Sequence, residues 1–222
     1  MKVAIAPIVL STASLGLMLG VAQNAQAALI PNITASTNMG SAFSTNIANT
    51  VNGAGLPSNT PSLTGSHAAA TVTNAWFGTA LTGNITFNLN GSYSLAGFSF
   101  WNFNGQRTIG IKGVTVQSST NGTTFTTIAG APTQFAIAAT SSAAVNPETF
   151  SFSSPVTASF VRFVVASNWG STATGFSEVQ FNGTPAQPPG PQSVPESSSL
   201  LALLAFGLAG VGLRKRMYSY FK

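Results

Sequence analysis

The side chains that could do chemistry are few. The chain carries one histidine, three carboxylates and no cysteine or aspartate. His67, Glu148 and Glu178 lie in the central stretch, and Glu196 lies near the C-terminus. General acid–base catalysis needs paired carboxylates, or a histidine held close to one. A Ser-His-acid set would require His67 to meet Glu148 or Glu178, and no Gly-x-Ser-x-Gly elbow is present to expose a serine. The residue set therefore reads as that of a non-enzyme. Binding chemistry is better supplied. Trp169, in Asn168-Trp169-Gly170, offers an aromatic platform on a loop. Arg107, close after Asn102 and Asn104, can give charge-assisted hydrogen bonds to hydroxyls. Asn102, Asn104 and His67 can add hydrogen bonds if their loops converge, although His67 lies among Ser, Gly and Ala and reads equally as a solvated loop residue. Trp76 and Trp101 lie beside or within strands and read as core.

Charge excludes one class of partner. The formal net charge is +5, but Lys2, Arg214, Lys215, Arg216 and Lys222 sit at the two ends. Between them, Arg107, Lys112 and Arg162 stand against Glu148 and Glu178, so three cations against two carboxylates leave +1. A nearly neutral domain has no electrostatic footprint for nucleic acid. The basic ends read as membrane-topology signals. With no cysteine, residues 28–184 must be held by their own core, and the segment is long enough to build one.

The elements that must position these side chains are strands. Ile85, Phe87 and Leu89 alternate with polar neighbours, as do Phe98 and Phe100, Phe150 and Phe152, and Val179 and Phe181. Ile109 and Ile111 keep one phase, and Val114 and Val116 take the other after a break at Lys112-Gly113, which predicts a bulge. Phe125 and Ile128 flank a Thr-rich strand. Residues 160–165 read as a strand buried on both faces apart from Arg162. Asn90-Gly91-Ser92, Asn104-Gly105-Gln106, Asn121-Gly122 and Asn182-Gly183 read as turns. No segment carries a helical stripe. The pattern predicts an all-β, antiparallel sandwich.

Both ends are organised differently. Lys2, an apolar run over 3–21 and Ala25-Gln26-Ala27 predict a secretory signal peptide over 1–27, cut after Ala27 by signal peptidase. Residues 185–193 (PAQPPGPQS) form a Pro-rich linker that stays extended. Val194-Pro195-Glu196 and three serines then precede an apolar segment over 200–213, closed by Arg214-Lys215-Arg216. Leu and Ala favour a helix there, short of the ~20 residues of a full span, with 217–222 as a cytoplasmic tail.

This C-terminal arrangement over 194–216 resembles the PEP-CTERM sorting signal of Gram-negative, often biofilm-forming bacteria, with Ser197 where that signal usually has a second proline. The resemblance implies a transient inner-membrane anchor, cleavage near Pro195–Glu196 by an exosortase, and delivery to the cell surface or matrix. The central stretch resembles the discoidin-like family, the C-type domain of coagulation factors, also called galactose-binding-like. The resemblance is carried by Ile33-Thr34-Ala35-Ser36, Val51-Asn52-Gly53, Trp76, the run Ile85 to Gly91, Phe98-Ser99-Phe100-Trp101-Asn102, Gly110 to Ser119, Ser159 to Phe163 and Gly175 to Phe181. It implies an eight-stranded jelly-roll β-sandwich whose loops at one end bind glycans, lipids or other surface ligands. It also implies a structural calcium, held here by Asn52 and Glu178. Asn52 stands where the family usually has Asp, so the implied site is weak, and Asn52-Gly53 reads equally as a plain turn. Glu178 reads equally as a partner of Arg162 or Lys112. The sequence thus supports an exported module that binds an extracellular glycan weakly. The alternative is a structural matrix protein without a ligand site.

Overall fold

Alternating apolar side chains in the centre of the chain build strands, and the computed structural model describes them over residues 27–186. The signal peptide, the sorting motif, the apolar segment and the basic cluster lie outside the described residues, save for Ala27 itself. The described residues form eight antiparallel strands: β1 (Ala28–Leu29), β2 (Thr34–Thr37), β3 (Trp76–Gly78), β4 (Gly83–Asn102), β5 (Val114–Ser119), β6 (Thr126–Thr127), β7 (Glu148–Val165) and β8 (Thr174–Pro185). The order is β1-β8-β4-β7-β5-β6, with β2 added on β4 and β3 on β8. Helical structure among the described residues is limited to three short 3-10 turns.

Two long strands make this one sheet into a sandwich. Gly83 to Asn88 of β4 pair with Val165 to Phe160 of β7, and the register then slips so that Tyr93 faces Ala158 and Phe100 faces Glu148. The slip occurs where Asn90 adopts a left-handed φ of 52°. A bulge lets one strand leave one layer and enter the other. Asn90-Gly91-Ser92 is therefore a corner inside β4, not a hairpin turn. Asn182-Gly183 is likewise no turn, because both residues continue β8 opposite β1. The first limb of β4 and β7 carries β2, β5 and β6. The second limb carries β8, whose Gly183 lies against Ser94 and Leu95.

The core between the layers is aromatic. Phe87, Phe98, Phe100, Phe135, Phe163, Phe176 and Phe181 are all essentially excluded from solvent. Phe100 stacks on Phe135 at 3.9 Å, and Phe98 meets Phe163 at 5.4 Å across the interior. Trp76 and Trp101 are buried, and their indole N–H groups donate to Gly40 and Gly65 carbonyls. On β7 the burial alternates, with Phe160, Arg162 and Val164 half-exposed, so the strand expected to be covered on both faces is covered fully on one. Because β4 and β7 fold back at the corner, their four outer ends lie together. The long connections 38–75, 103–113, 129–147 and 166–173 gather at this end.

Candidate functional site

Three side chains expected to face a ligand instead hold the loop end together. Asn102 is buried, and its Nδ2 donates to the Ile111 and Ala136 carbonyls while its Oδ1 accepts from Phe103 N. Asn104 is fully buried. Its Nδ2 donates to the carbonyls of Ala68 (2.9 Å) and Ala143 (2.8 Å), with a longer bond to His67, and its Oδ1 accepts from Ser177 Oγ. His67 is not a solvated loop residue. Its backbone forms an isolated bridge with Val145, and its imidazole is buried against Gly55. Gly55 has φ +92°, and a Cβ there would lie 2.5 Å from the ring, so the contact requires glycine. Burial pushes the imidazole below its usual range, against the Ala68 carbonyl that accepts its Nδ1–H at 2.7 Å. These side chains satisfy buried backbone carbonyls that loops of irregular path would otherwise leave unpaired.

Arg107 and Trp169 are arranged differently, and they are brought together. Arg107 begins a 3-10 turn (Arg107–Ile109) whose last carbonyl partner is the Gly110 N–H, and the Gly110 carbonyl accepts from Trp169 N at 3.1 Å. Both side chains are half-exposed. The turn carrying Trp169 is set by Asn168, whose Nδ2 donates to the Ser171 and Ala173 carbonyls and whose Oδ1 accepts from Gly170 N. Lys112, on the bulged segment as anticipated, places its ammonium 4.8 Å from the Trp169 ring centroid. On the other side, buried Phe103 and Ile109 pack with Phe77, and Phe43 stands 78% exposed, 5.5 Å from the Phe77 ring.

The calcium expectation was tested on the cluster around Glu178. Glu178 is fully buried on β8, beside Gln180. Its Oε1 accepts from Gly53 N at 3.1 Å and from Gln180 Nε2, and the same Gln180 amide donates to the Val51 carbonyl at 3.1 Å. Asn52 Oδ1 closes its own turn by accepting from Ala54 N. Calcium takes about 6–8 oxygens, with negative charge among them. Here a single carboxylate faces two N–H donors, and an amide N–H2 fills the space between it and the carbonyl. The donor set does not fit calcium. Burial pushes the Glu178 carboxyl up to about 8, against the opposing bonds from Gln180 and Gly53, so it is a neutral acid at neutral pH. Glu178 pairs with neither Arg162 nor Lys112. Arg162 stacks 3.5 Å over Phe125 and donates to Thr86, and Lys112 lies over Trp169.

Among the described residues, the buried side-chain polar atoms without a hydrogen-bond partner are His67 Nε2, Arg107 Nε, Trp169 Nε1 and Glu178 Oε2. Two of these, Arg107 Nε–H and Trp169 Nε1–H, are donors on the same rim. A buried donor left without an acceptor costs about 1–3 kcal/mol. Sequence reasoning missed Lys112, Asn168 and Phe43 as parts of this rim. Only Asn168 carried a signal, since an Asn two residues before Gly favours a side-chain-closed turn.

The model of the family described as F5/8 type C domain matches residues 32–179. A search of curated protein sequences gave no significant match. Among solved structures, the chain is similar to the family 32 carbohydrate-binding module of Clostridium perfringens NanJ in complex with galactose. The identity is 13% and the TM-score 0.51, over 71% of this chain and 99% of that one. It is also similar to the module CBM32-1 from a family 31 glycoside hydrolase of Clostridium perfringens, at 14% identity and a TM-score of 0.49, over 69% of this chain and 95% of that one. At these identities the likeness concerns the fold.

Proposed function

The chain belongs to the F5/8 type C domain family, and we propose that its loop end binds a neutral glycan, weakly and without catalysis, through Trp169 and Arg107. The observation that carries the reading is their shared anchor. Each bears an N–H without a partner, and both are fixed to Gly110. Neutral sugars need an apolar face and a few oriented donors in a shallow site. Trp169 and the exposed Phe43 supply such faces, and Arg107 supplies a fork of donors. Two solved modules of similar fold carry carbohydrate-binding names, and one was solved with galactose, which agrees with this ligand class. A rim of this kind corresponds to a Kd of roughly 0.1–1 mM, or about 4–5.5 kcal/mol. Display of many copies would raise the effective affinity by multivalency.

The cellular setting belongs to the same proposal and rests on the sequence of the ends. Signal peptidase removes 1–27, an exosortase cuts near Pro195–Glu196, and the domain acts at the cell surface or in a matrix as an adhesive module. Intact-mass analysis of the chain from its host checks the processing: loss of both ends supports it, and a mature species retaining 200–213 overturns it. A glycan array probed with the full chain checks the binding. Retention of neutral glycans is expected, and an array without any bound glycan would replace this reading with that of a structural matrix protein.

A further inference from the structure

A concavity opens at the loop end whose walls include neither Trp169 nor Arg107. Its volume is about 160 Å3, and its walls include Phe100, Ile137, Val145, Asn102, Asn146 and Glu148. At ~30 Å3 per water, it holds roughly five waters, the bulk of about one sugar ring. Most of the wall is apolar. Asn102 is already committed to the Ile111 and Ala136 carbonyls. Asn146 Oδ1 accepts from Ser66 Oγ at 2.6 Å, which leaves its amide N–H2 uncommitted. Glu148, at the start of β7, is half-buried, and its Oε2 accepts from Ala136 N at 2.8 Å.

Among the described residues, no cation is paired with Glu148. The three basic side chains of the domain are placed elsewhere: Lys112 over Trp169, Arg162 over Phe125, and Arg107 on the rim turn. Burial raises the Glu148 carboxyl above its usual range, and the Ala136 N–H only partly offsets this. A half-desolvated carboxylate with one neutral donor gains most from a cationic one, because a charge-assisted hydrogen bond is about twice as strong as a neutral one.

We propose that this cavity is a second ligand site, separate from the Trp169–Arg107 rim, that takes a primary ammonium carried on a body of about one sugar ring, with Glu148 Oε1 as its acceptor. The ligand class is an amino sugar with a free amine. The rim presents Arg107 and Lys112, whereas the cavity presents a carboxylate, so the two places sort ligands by charge. This site does not depend on the rim reading.

The test is titration of the full chain, in near-neutral buffer that keeps Glu148 ionised and the amine charged, with glucosamine, N-acetylglucosamine and glucose. Glucosamine should bind about tenfold or more tightly than the other two. Glu148→Gln should remove that preference with melting unchanged, because the Gln oxygen still accepts from Ala136 N. Trp169→Ala should leave the preference intact, which separates failure of this site from failure of the rim. If the Gln variant does not fold, Ala139→Phe, which enlarges a side chain of the same wall, must abolish glucosamine binding. Equal binding of glucosamine and N-acetylglucosamine, no binding of glucosamine, or a preference that survives the variants would overturn the proposal.

Discussion

The interior between the sheet layers and the loop end above it are both buried, but they are held by different forces. The interior is a stack of Phe rings and aliphatic side chains, and its strands satisfy their own backbone groups. The loop end has irregular backbone, and its carbonyls are satisfied by amides from Asn102, Asn104 and Asn168. Burial is non-directional and tolerates some repacking, whereas hydrogen bonds fix the path of a loop. The loops are thus tied down from below, and the unpaired donors Arg107 Nε–H and Trp169 Nε1–H stand beside Gly110, while His67 Nε2 and Glu178 Oε2 are unpaired within the buried part.

The largest expected effect lies in the interior. Phe163 touches several rings at once, and Phe163→Ala should cost about 3–5 kcal/mol in denaturant unfolding. A loss below ~1 kcal/mol would mean that the aromatic stack is not the structural base of the domain. At the loop end, Asn104→Ala strands the Ala68 and Ala143 carbonyls and should cost about 2–3 kcal/mol. Unchanged melting together with lost glycan binding would return Asn104 to the ligand site and break the division between strut and rim.

Glu178 sharpens the comparison from the side of charge. Its folded value of about 8 lies above the ordinary value of 4.5. Between these values the unfolded chain releases the proton while the folded chain keeps it. Stability therefore falls as pH rises from about 4.5 to 8 and then levels off. Glu178→Gln should flatten this slope and stabilise the domain at alkaline pH by an amount on the order of a few kcal/mol, read from melting across pH. His67 contributes with the opposite sign below its ordinary value of 6.5, because its burial in neutral form favours folding less as the unfolded imidazole gains a proton. Melting in excess calcium should match melting in chelator. A rise of many degrees with calcium, lost in Glu178→Gln, would show that a cation displaces the Gln180 amide.

Much of the interior was legible because period-2 alternation is the physical cause of a half-buried strand. Phe87, Phe98 and Phe181 announce their inward direction by spacing alone, whereas the continuous apolar run 160–165 gives no direction to Phe163. The corner at Asn90 was misread, because a left-handed Asn before Gly serves a bulge as well as a hairpin. The loop end was half legible. Arg107 and Trp169 stand out by residue type, and the fold ties both of their segments to Gly110 through backbone hydrogen bonds. Asn102, Asn104 and His67 could not be told from ligand contacts, since a buried strut and an exposed donor use the same atoms. For Asn102 and Asn104 the role depends on carbonyls such as those of Ala136, Ala68 and Ala143, which come from residues tens of positions away. The Glu148 cavity was not legible because it forms only where the connection before β7 closes over Phe100 and Asn102 of β4, through the β4–β7 pairing and the bonds of Ala136 to Asn102 and Glu148.

The smallest effect on folding should come from the rim, and there the central claim is most exposed. The full chain is titrated with the neutral glycans retained on an array, beside Trp169→Ala and Arg107→Ala, and melting is recorded for each. Both substitutions should weaken binding by about tenfold, or ~1.4 kcal/mol, while each changes stability by less than ~1 kcal/mol. Affinity unchanged in both variants would contradict the assignment of the rim as the glycan site.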